Sequence, residues 1–293
     1  MVSVPADLFI GLVTYPSTRF PESSGPEGLA YQLKNALASE GLESTVSIRA
    51  EDAFSDEVLR IDRAAIQRSI SAELDTEATW RRFLRGGRGS LKLTAEMLVR
   101  GRKRRKALLP SPDVAISPDQ PGMRMVRRLV NIELAHMSLL RDATASGCSW
   151  TLILEDDAGA PDVPALAERL AHFTRMWSTT NQPRFVNISQ SFDAQTLGIE
   201  RLLTHVGQWN PGLQQFAMYS SSLPVTNTVC AILYRAEFLR ELVAEMNSIP
   251  VDPVIPIDWK LNLALMNLSE RGRITAGDSC ILIPAPIVQR SMI

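Results

Sequence analysis

The chain has 293 residues, of which 45% are hydrophobic and 22% are charged, the balance of a globular protein rather than a disordered one. Its formal net charge of -1 excludes a protein that binds nucleic acid over its whole surface. Three cysteines lie far apart and match no zinc or redox spacing, so reduced core thiols are expected at Cys148, Cys230 and Cys280. Because no apolar run is long enough for a membrane span or a signal peptide, we expect a cytoplasmic protein, with peripheral membrane contact left open.

Residues 1–55 have the pattern of an α/β protein. A buried strand is predicted at 8–15, a helix at 27–40 and a second strand at 45–48. In an open α/β sheet, ligands lie beyond the carboxyl ends of the strands. Three residues would lie there, either as donor ligands or as ordinary loop residues: Thr14, Arg19 and Asp52.

Residues 56–110 are predicted to be helical, and they interrupt the α/β order as an inserted hairpin. Glycines at 86, 87 and 89 mark its break, and the stretch 81–106 is strongly basic, opposed only by Glu96. Such a stretch can bind nucleic acid, an anionic membrane surface or a phosphorylated acceptor, or it can simply be a solvated face. Nucleic acid is the weaker of these alternatives because only Trp80 and Phe83 could stack on bases.

Residues 111–293 return to alternating strands and helices, which predicts a single α/β domain, 1–293, with an open mixed sheet flanked by helices. The stretch 191–226 is predicted to be a long loop, and such loops in compact domains usually carry function or disorder. The predicted strands are 113–116, 150–154, 184–190 and 228–234, and the predicted helices are 123–145, 163–177, 235–246 and 257–270.

Three adjacent carboxylates, Glu155, Asp156 and Asp157, directly follow the predicted strand at 150–154. Neighbouring carboxylates repel one another and lose solvation on burial, so packing alone gives no reason for this position. A divalent cation gives one, since oxygen ligands on a strand end suit Mg²⁺ or Mn²⁺, whose remaining positions phosphate oxygens can fill. The alternative is that the acids cap the next helix and face solvent.

Four features in one order make residues 123–291 resemble a glycosyltransferase of the GT-A fold, similar to family 25, which includes lipooligosaccharide and procollagen galactosyltransferases. Asn131 and Ile132 stand where that family has Gly-Cys, Ala135 replaces its serine, and the basic hairpin has no counterpart. The four features are the helix segment Asn-Ile-Glu-Leu-Ala-His at 131–136, the strand end Leu-Glu-Asp-Asp at 154–157, the pair Asp258-Trp259 after a buried strand and helix, and a late proline leading to Gln289.

The resemblance implies metal-dependent transfer of a sugar from a nucleoside diphosphate to an acceptor hydroxyl, with inversion at the anomeric carbon. A UDP-sugar is the first candidate for the donor, and the acceptor would be an anionic molecule or a glycan. It implies a Mn²⁺ or Mg²⁺ ion held by Glu155, Asp157 and Gln289. Asp258 would be the general base, although an N-cap or first-turn role in the helix competes with that role. The donor would be contacted by Asn131, Glu133, His136 and Asp156, together with Thr14, Arg19 and Asp52.

Other functions remain open from the sequence. A nucleotidyltransferase of related fold would use a glycine-rich phosphate-binding loop after the first strand, but residues 15–25 contain a single glycine, Gly25. A non-catalytic protein could bind nucleic acid or a membrane through the basic hairpin, and an inactive transferase-like domain would keep the fold without the reaction.

Overall fold

A computed structural model describes residues 8–15, 19–50, 62–111, 113–115, 117, 119–178, 180, 182–189, 198–209, 216–224 and 229–292. Its strands are β1 (Leu8–Thr14), β2 (Ser44–Ala50), β3 (Trp150–Glu155), β4 (Ala158–Gly159), β5 (Phe185–Asn187), β6 (Leu203–Trp209), β7 (Phe216–Ser221), β8 (Ala231–Arg235), β9 (Ser279–Ile283) and β10 (Val288–Gln289). Its α-helices are α1 (Leu29–Ser39), α2 (Arg63–Phe83), α3 (Leu91–Leu108), α4 (Pro121–Ser146), α5 (Val163–Met176), α6 (Ala236–Ser248) and α7 (Ile257–Glu270).

The fold is α/β, with an open mixed sheet of eight strands in the order β2-β1-β3-β8-β5-β9-β7-β6. β1 runs parallel to β2 and β3, whereas β8 runs antiparallel to β3 and β5. β4 and β10 form a separate antiparallel pair. Since β1 and β3 are parallel neighbours, with Val13 opposite Glu155, their carboxyl ends meet at one edge of the sheet.

Helices cover both faces of the sheet, which explains why all seven residues of β1 are buried. Leu8, Ile10 and Leu12 face the cluster that includes α1 and α5. Phe9 and Val13 face the opposite cluster, which includes α4, α6 and α7. The site at the strand ends therefore rests on a core that is packed from two sides.

Helices α2 and α3 pack against each other and against α4 through a separate apolar cluster. Each begins at a capping side chain, because Asp62 accepts the backbone N–H of Ala65 and Ser90 accepts that of Leu93. The turn between them contains Gly86 with a positive φ of 64°, a backbone conformation that glycine adopts without strain. None of the described helices is both long enough and apolar enough to cross a membrane.

Two secondary-structure predictions are wrong. Residues 113–115, predicted as part of a strand, form an exposed turn in which Val114 is 49% exposed; the segment has no neighbouring strand to pair with in the described sheet. The predicted loop at 191–226 contains the antiparallel strands β6 and β7. Both strands mix polar and apolar residues without strict alternation, so their sequences gave no strand signal.

Candidate functional site

The carboxyl end of β3 brings the three acidic residues to one cavity of about 470 Å³. The strand is buried up to Leu154, and Glu155 is partly exposed. The backbone N–H of Glu155 still donates to the carbonyl of Cys230, which directly precedes the neighbouring strand β8. Asp156 and Asp157 follow in a turn and are buried. Gln289 of β10 also lines the cavity, because β10 pairs with β4 just beyond the acids.

The Asp157 carboxylate accepts hydrogen bonds from two neutral donors. The Ser291 hydroxyl donates to Oδ2, and the Cys230 thiol lies 3.7 Å from Oδ1. Burial raises the pKa of the Cys230 thiol, and the nearby charges of Glu155 and Asp157 raise it further, so the thiol stays protonated. Neither donor offsets the negative charge of this buried carboxylate, which favours a cation in the cavity.

Asp156 connects the first strand to the acidic residues. The Thr14 hydroxyl donates to its Oδ2 at 3.4 Å, across the neighbouring ends of β1 and β3. The Arg290 guanidinium lies nearby but donates to the main-chain carbonyl of Asp156 at 2.7 Å and to the Glu22 carboxylate at 2.9 Å. Thr14, which was predicted to lie at the carboxyl end of the first strand, is therefore next to the acids.

Helix α4 supplies two buried polar residues one turn apart. His136 Nε2 lies 3.3 Å from Glu155 Oε1 and holds that carboxylate beside the cavity. Glu133 forms a buried ion pair with Lys260 of α7. Glu133, predicted to contact the donor, is not among the residues that line the cavity, and Lys260 occupies its carboxylate.

Asp258 is the second residue of α7, so it is a first-turn acid and not the N-cap, which is Pro256. Burial, and to a smaller extent the charges of Glu155 and Glu73, raise the pKa of Asp258 to about 6. Hydrogen bonds from the backbone N–H groups of Trp259 and of Asp258 itself partly oppose this rise. Asp258 does not line the cavity, although the charge of Glu155 contributes to its raised pKa.

Tyr15 and Arg128 line the same cavity and were not predicted from the sequence. The Arg128 guanidinium donates to the Tyr15 hydroxyl at 3.1 Å and lies 5.0 Å from the centre of its ring. Burial raises the pKa of the Tyr15 phenol; Arg128 lowers it, and the three acids raise it. Two signals could have found them: Tyr15 directly follows β1, and Arg128 lies two turns before His136 on α4.

The remaining predicted site residues are placed as follows. Arg19 is exposed and lines the cavity. Asn131 is partly buried on α4 and is not a lining residue. Asp52 lies outside the described residues. In the part of the chain that the structure describes, no three His, Cys, Asp or Glu side chains form a metal-binding group. The oxygen ligands that share the cavity are those of Glu155, Asp156, Asp157 and Gln289.

No protein-family model matches the chain, and no curated protein matches it. The function is therefore inferred from the cavity, its charges and the elements that hold them.

Proposed function

We propose that the protein is a metal-dependent glycosyltransferase that moves a sugar from a nucleoside diphosphate, with a UDP-sugar as first candidate, to an acceptor hydroxyl. One observation carries the proposal: the cavity at the end of β3 is lined by three carboxylates and also by Arg19 and Arg128. The carboxylates favour a cation, and the arginines favour an anion. A nucleoside diphosphate bound with a divalent cation satisfies both requirements.

The oxygen ligands in the cavity fit Mn²⁺ or Mg²⁺. Asp157, Glu155 and Gln289 line the same cavity and offer only oxygen ligands of the kind that hard cations prefer, apart from the amide nitrogen of Gln289. When bound, the ion would supply Lewis-acid stabilisation of the negative charge that develops on the departing diphosphate. The open mixed sheet, with its acids at the end of a central strand, supports the proposed GT-A resemblance.

The other residues of the cavity would orient the donor. Arg128 is held by Tyr15 and presents positive charge to the diphosphate, as does Arg19. Asp156, oriented by the Thr14 hydroxyl, would accept hydrogen bonds from hydroxyl groups of the ribose or the donor sugar. Within this proposal His136 acts indirectly, since it holds Glu155 in place.

Asp258 is proposed as the general base that accepts the proton of the acceptor hydroxyl. With a pKa of about 6, its carboxylate is ionised at neutral pH and is more basic than an ordinary aspartate. Inversion at the anomeric carbon requires such a base on the face opposite the leaving diphosphate. Asp258 lies in the first turn of α7 and is not among the residues that line the diphosphate cavity.

Substitution of Asp157 tests the proposal. A thermal-shift assay with Mn²⁺ and a panel of nucleotide sugars should identify one nucleotide sugar that stabilises the wild-type protein. The enzyme should then turn over that sugar donor with release of a nucleoside diphosphate. Asp157→Asn should remain folded but lose Mn²⁺-dependent turnover. As a matched control, Asp162→Asn should keep it, because Asp162 is the exposed N-cap of α5 and asparagine caps a helix equally well.

Mn²⁺-dependent turnover that survives in Asp157→Asn would refute the assignment of the acids. Release of pyrophosphate instead of a nucleoside diphosphate would identify a nucleotidyltransferase.

A further inference from the structure

Helix α3 has two faces of different character. On its inner face, Arg100 forms an ion pair with Glu77 of α2, and Arg104 forms one with Glu73 at 2.6 Å. Glu73 and Glu77 are both buried. These arginines therefore hold α3 on α2, and their charges are offset within the protein.

The outer face of α3 combines exposed apolar and cationic side chains. Leu91, Leu98 and Val99 are 92%, 61% and 52% exposed. Four basic residues in the next two turns are also exposed, and within the described residues no ion pair includes any of them. They are Arg102, Lys103, Arg105 and Lys106.

Helical spacing places these residues on one surface. Leu91, Leu98, Arg102 and Arg105 follow one another at intervals of seven, four and three residues, so they form a single stripe along the helix. The stripe is apolar in its first half and cationic in its second half. This arrangement matches the boundary of a lipid bilayer, where acyl chains and phosphate groups lie within a few ångströms of each other.

A groove between α2 and α3 adjoins the stripe, with a volume of about 460 Å³. Its rim contains Arg82 as well as Arg102 and Arg105, and one acidic residue, Asp75. Its apolar lining is provided by Leu74, Ala78, Leu93, Met97 and Leu98. The groove therefore extends the same combination of cationic and apolar groups beyond the stripe.

We propose that the outer face of α3 docks on an anionic phospholipid bilayer. Leu91 and Leu98 enter the interfacial layer, and the basic residues of the following turns contact lipid phosphates. A nucleic acid would meet the positive charges but would leave the two leucines in water, and the described outer face of α3 has no aromatic side chain on which bases could stack. The inference does not depend on the proposed transferase activity.

Vesicle flotation of the full chain tests this proposal. The protein should float with phosphatidylcholine vesicles that contain phosphatidylglycerol, should not float with pure phosphatidylcholine, and should be released as salt is raised. Each basic side chain near an anionic surface strengthens binding about fivefold. Arg102→Gln with Arg105→Gln should therefore weaken vesicle binding about 30-fold.

The matched control is Lys34→Gln with Arg240→Gln, which removes the same charge from exposed positions on α1 and α6 and should bind like the wild-type protein. Leu91→Ser with Leu98→Ser tests the apolar half of the stripe and should weaken binding about tenfold. All substituted side chains are exposed, so we expect each variant to unfold at the same temperature as the wild-type protein. An unchanged thermal transition would show that the variant is folded.

Three results would overturn the proposal. They are equal binding to neutral and anionic vesicles, equal binding by the Arg102/Arg105 variant and its control, and wild-type binding by the leucine variant. If the leucine variant binds vesicles like the wild type, and the protein binds an RNA or DNA oligomer more tightly than vesicles, the surface would instead be a purely electrostatic nucleic-acid surface.

Discussion

Asp258→Asn should stabilise the protein at neutral pH and have little effect in acid. In the folded protein, burial and the charges of Glu155 and Glu73 raise the pKa of Asp258 from 3.8 to about 6. The folded state therefore binds this proton more tightly than the unfolded chain does. The favourable contribution of the protonated group is fully present below about pH 4 and is lost as the pH rises through about 6, the reverse of the usual behaviour of a carboxylate.

The magnitude follows from the rise in pKa. A rise from 3.8 to about 6 is a difference of about 2, and each pKa unit corresponds to about 1.4 kcal/mol, so ionised Asp258 costs about 3 kcal/mol of unfolding free energy. Asparagine is neutral at every pH but accepts the backbone N–H groups of the first turn less strongly than a carboxylate does. The expected net gain is therefore about 1–3 kcal/mol near neutral pH.

Urea unfolding of the wild-type protein and of Asp258→Asn, at about pH 4 and about pH 8, measures this difference. Asp62→Asn is the matched control, since Asp62 is the exposed N-cap of α2 and asparagine caps a helix equally well. The reasoning would be refuted if Asp258→Asn were less stable than the wild-type protein at the higher pH, or if its effect were the same at both values.

Three further predictions concern the same framework. The kcat/KM for sugar transfer should rise with pH through a limb near 6 as Asp258 loses its proton, and a limb that persists in Asp258→Asn would belong to another group. Lys260→Met should lower the unfolding free energy, measured by urea denaturation, by about 3–5 kcal/mol because it leaves the buried Glu133 carboxylate unpaired. Lys260→Met combined with Glu133→Leu should recover most of this loss, and a Lys260→Met variant as stable as the wild type would contradict the reasoning. Gly28→Ala should cost about 2 kcal/mol or more, measured as a fall in Tm, because the new Cβ would lie 1.9 Å from the Ser23 carbonyl oxygen, and Gly89→Ala, with open space around it, should change the Tm little.

The central strands and the acidic end of β3 were predictable from the sequence. β1 and β3 are buried on both faces of the sheet, and a strand buried on both faces needs apolar residues at consecutive positions. Such a run is visible in the sequence. The rule that ligands lie at carboxyl ends of parallel strands placed Thr14 at the strand ends, and in the structure its hydroxyl lies 3.4 Å from Asp156 Oδ2. By contrast, β6 and β7 lie at one edge of the sheet, and their apolar residues do not alternate with polar ones in the way that predicts a strand.

Contacts between distant segments could not be predicted. Tyr15 and Arg128 are separated by 113 residues, and Glu133 and Lys260 by 127. Nothing in the local spacing of either partner indicates the other, because these pairs arise from how α4 packs on the sheet and on α7. The same packing explains why Glu133, which the family resemblance suggested as a donor contact, instead forms an ion pair with Lys260.

Helix α4 fixes the proposed base and the acidic residues relative to each other. Glu133 and His136 lie one turn apart on its buried side, so their side chains keep a constant separation. Glu133 holds Lys260, two residues after Asp258, and His136 holds Glu155. Because α4 also packs against β1 and β2, a displacement of Asp258 relative to the acids would require breaking a buried ion pair or moving a helix seated on the sheet. Positioning of this kind is what a transfer reaction needs, since the base must deprotonate the acceptor hydroxyl whose oxygen attacks the anomeric carbon from the side opposite the leaving group.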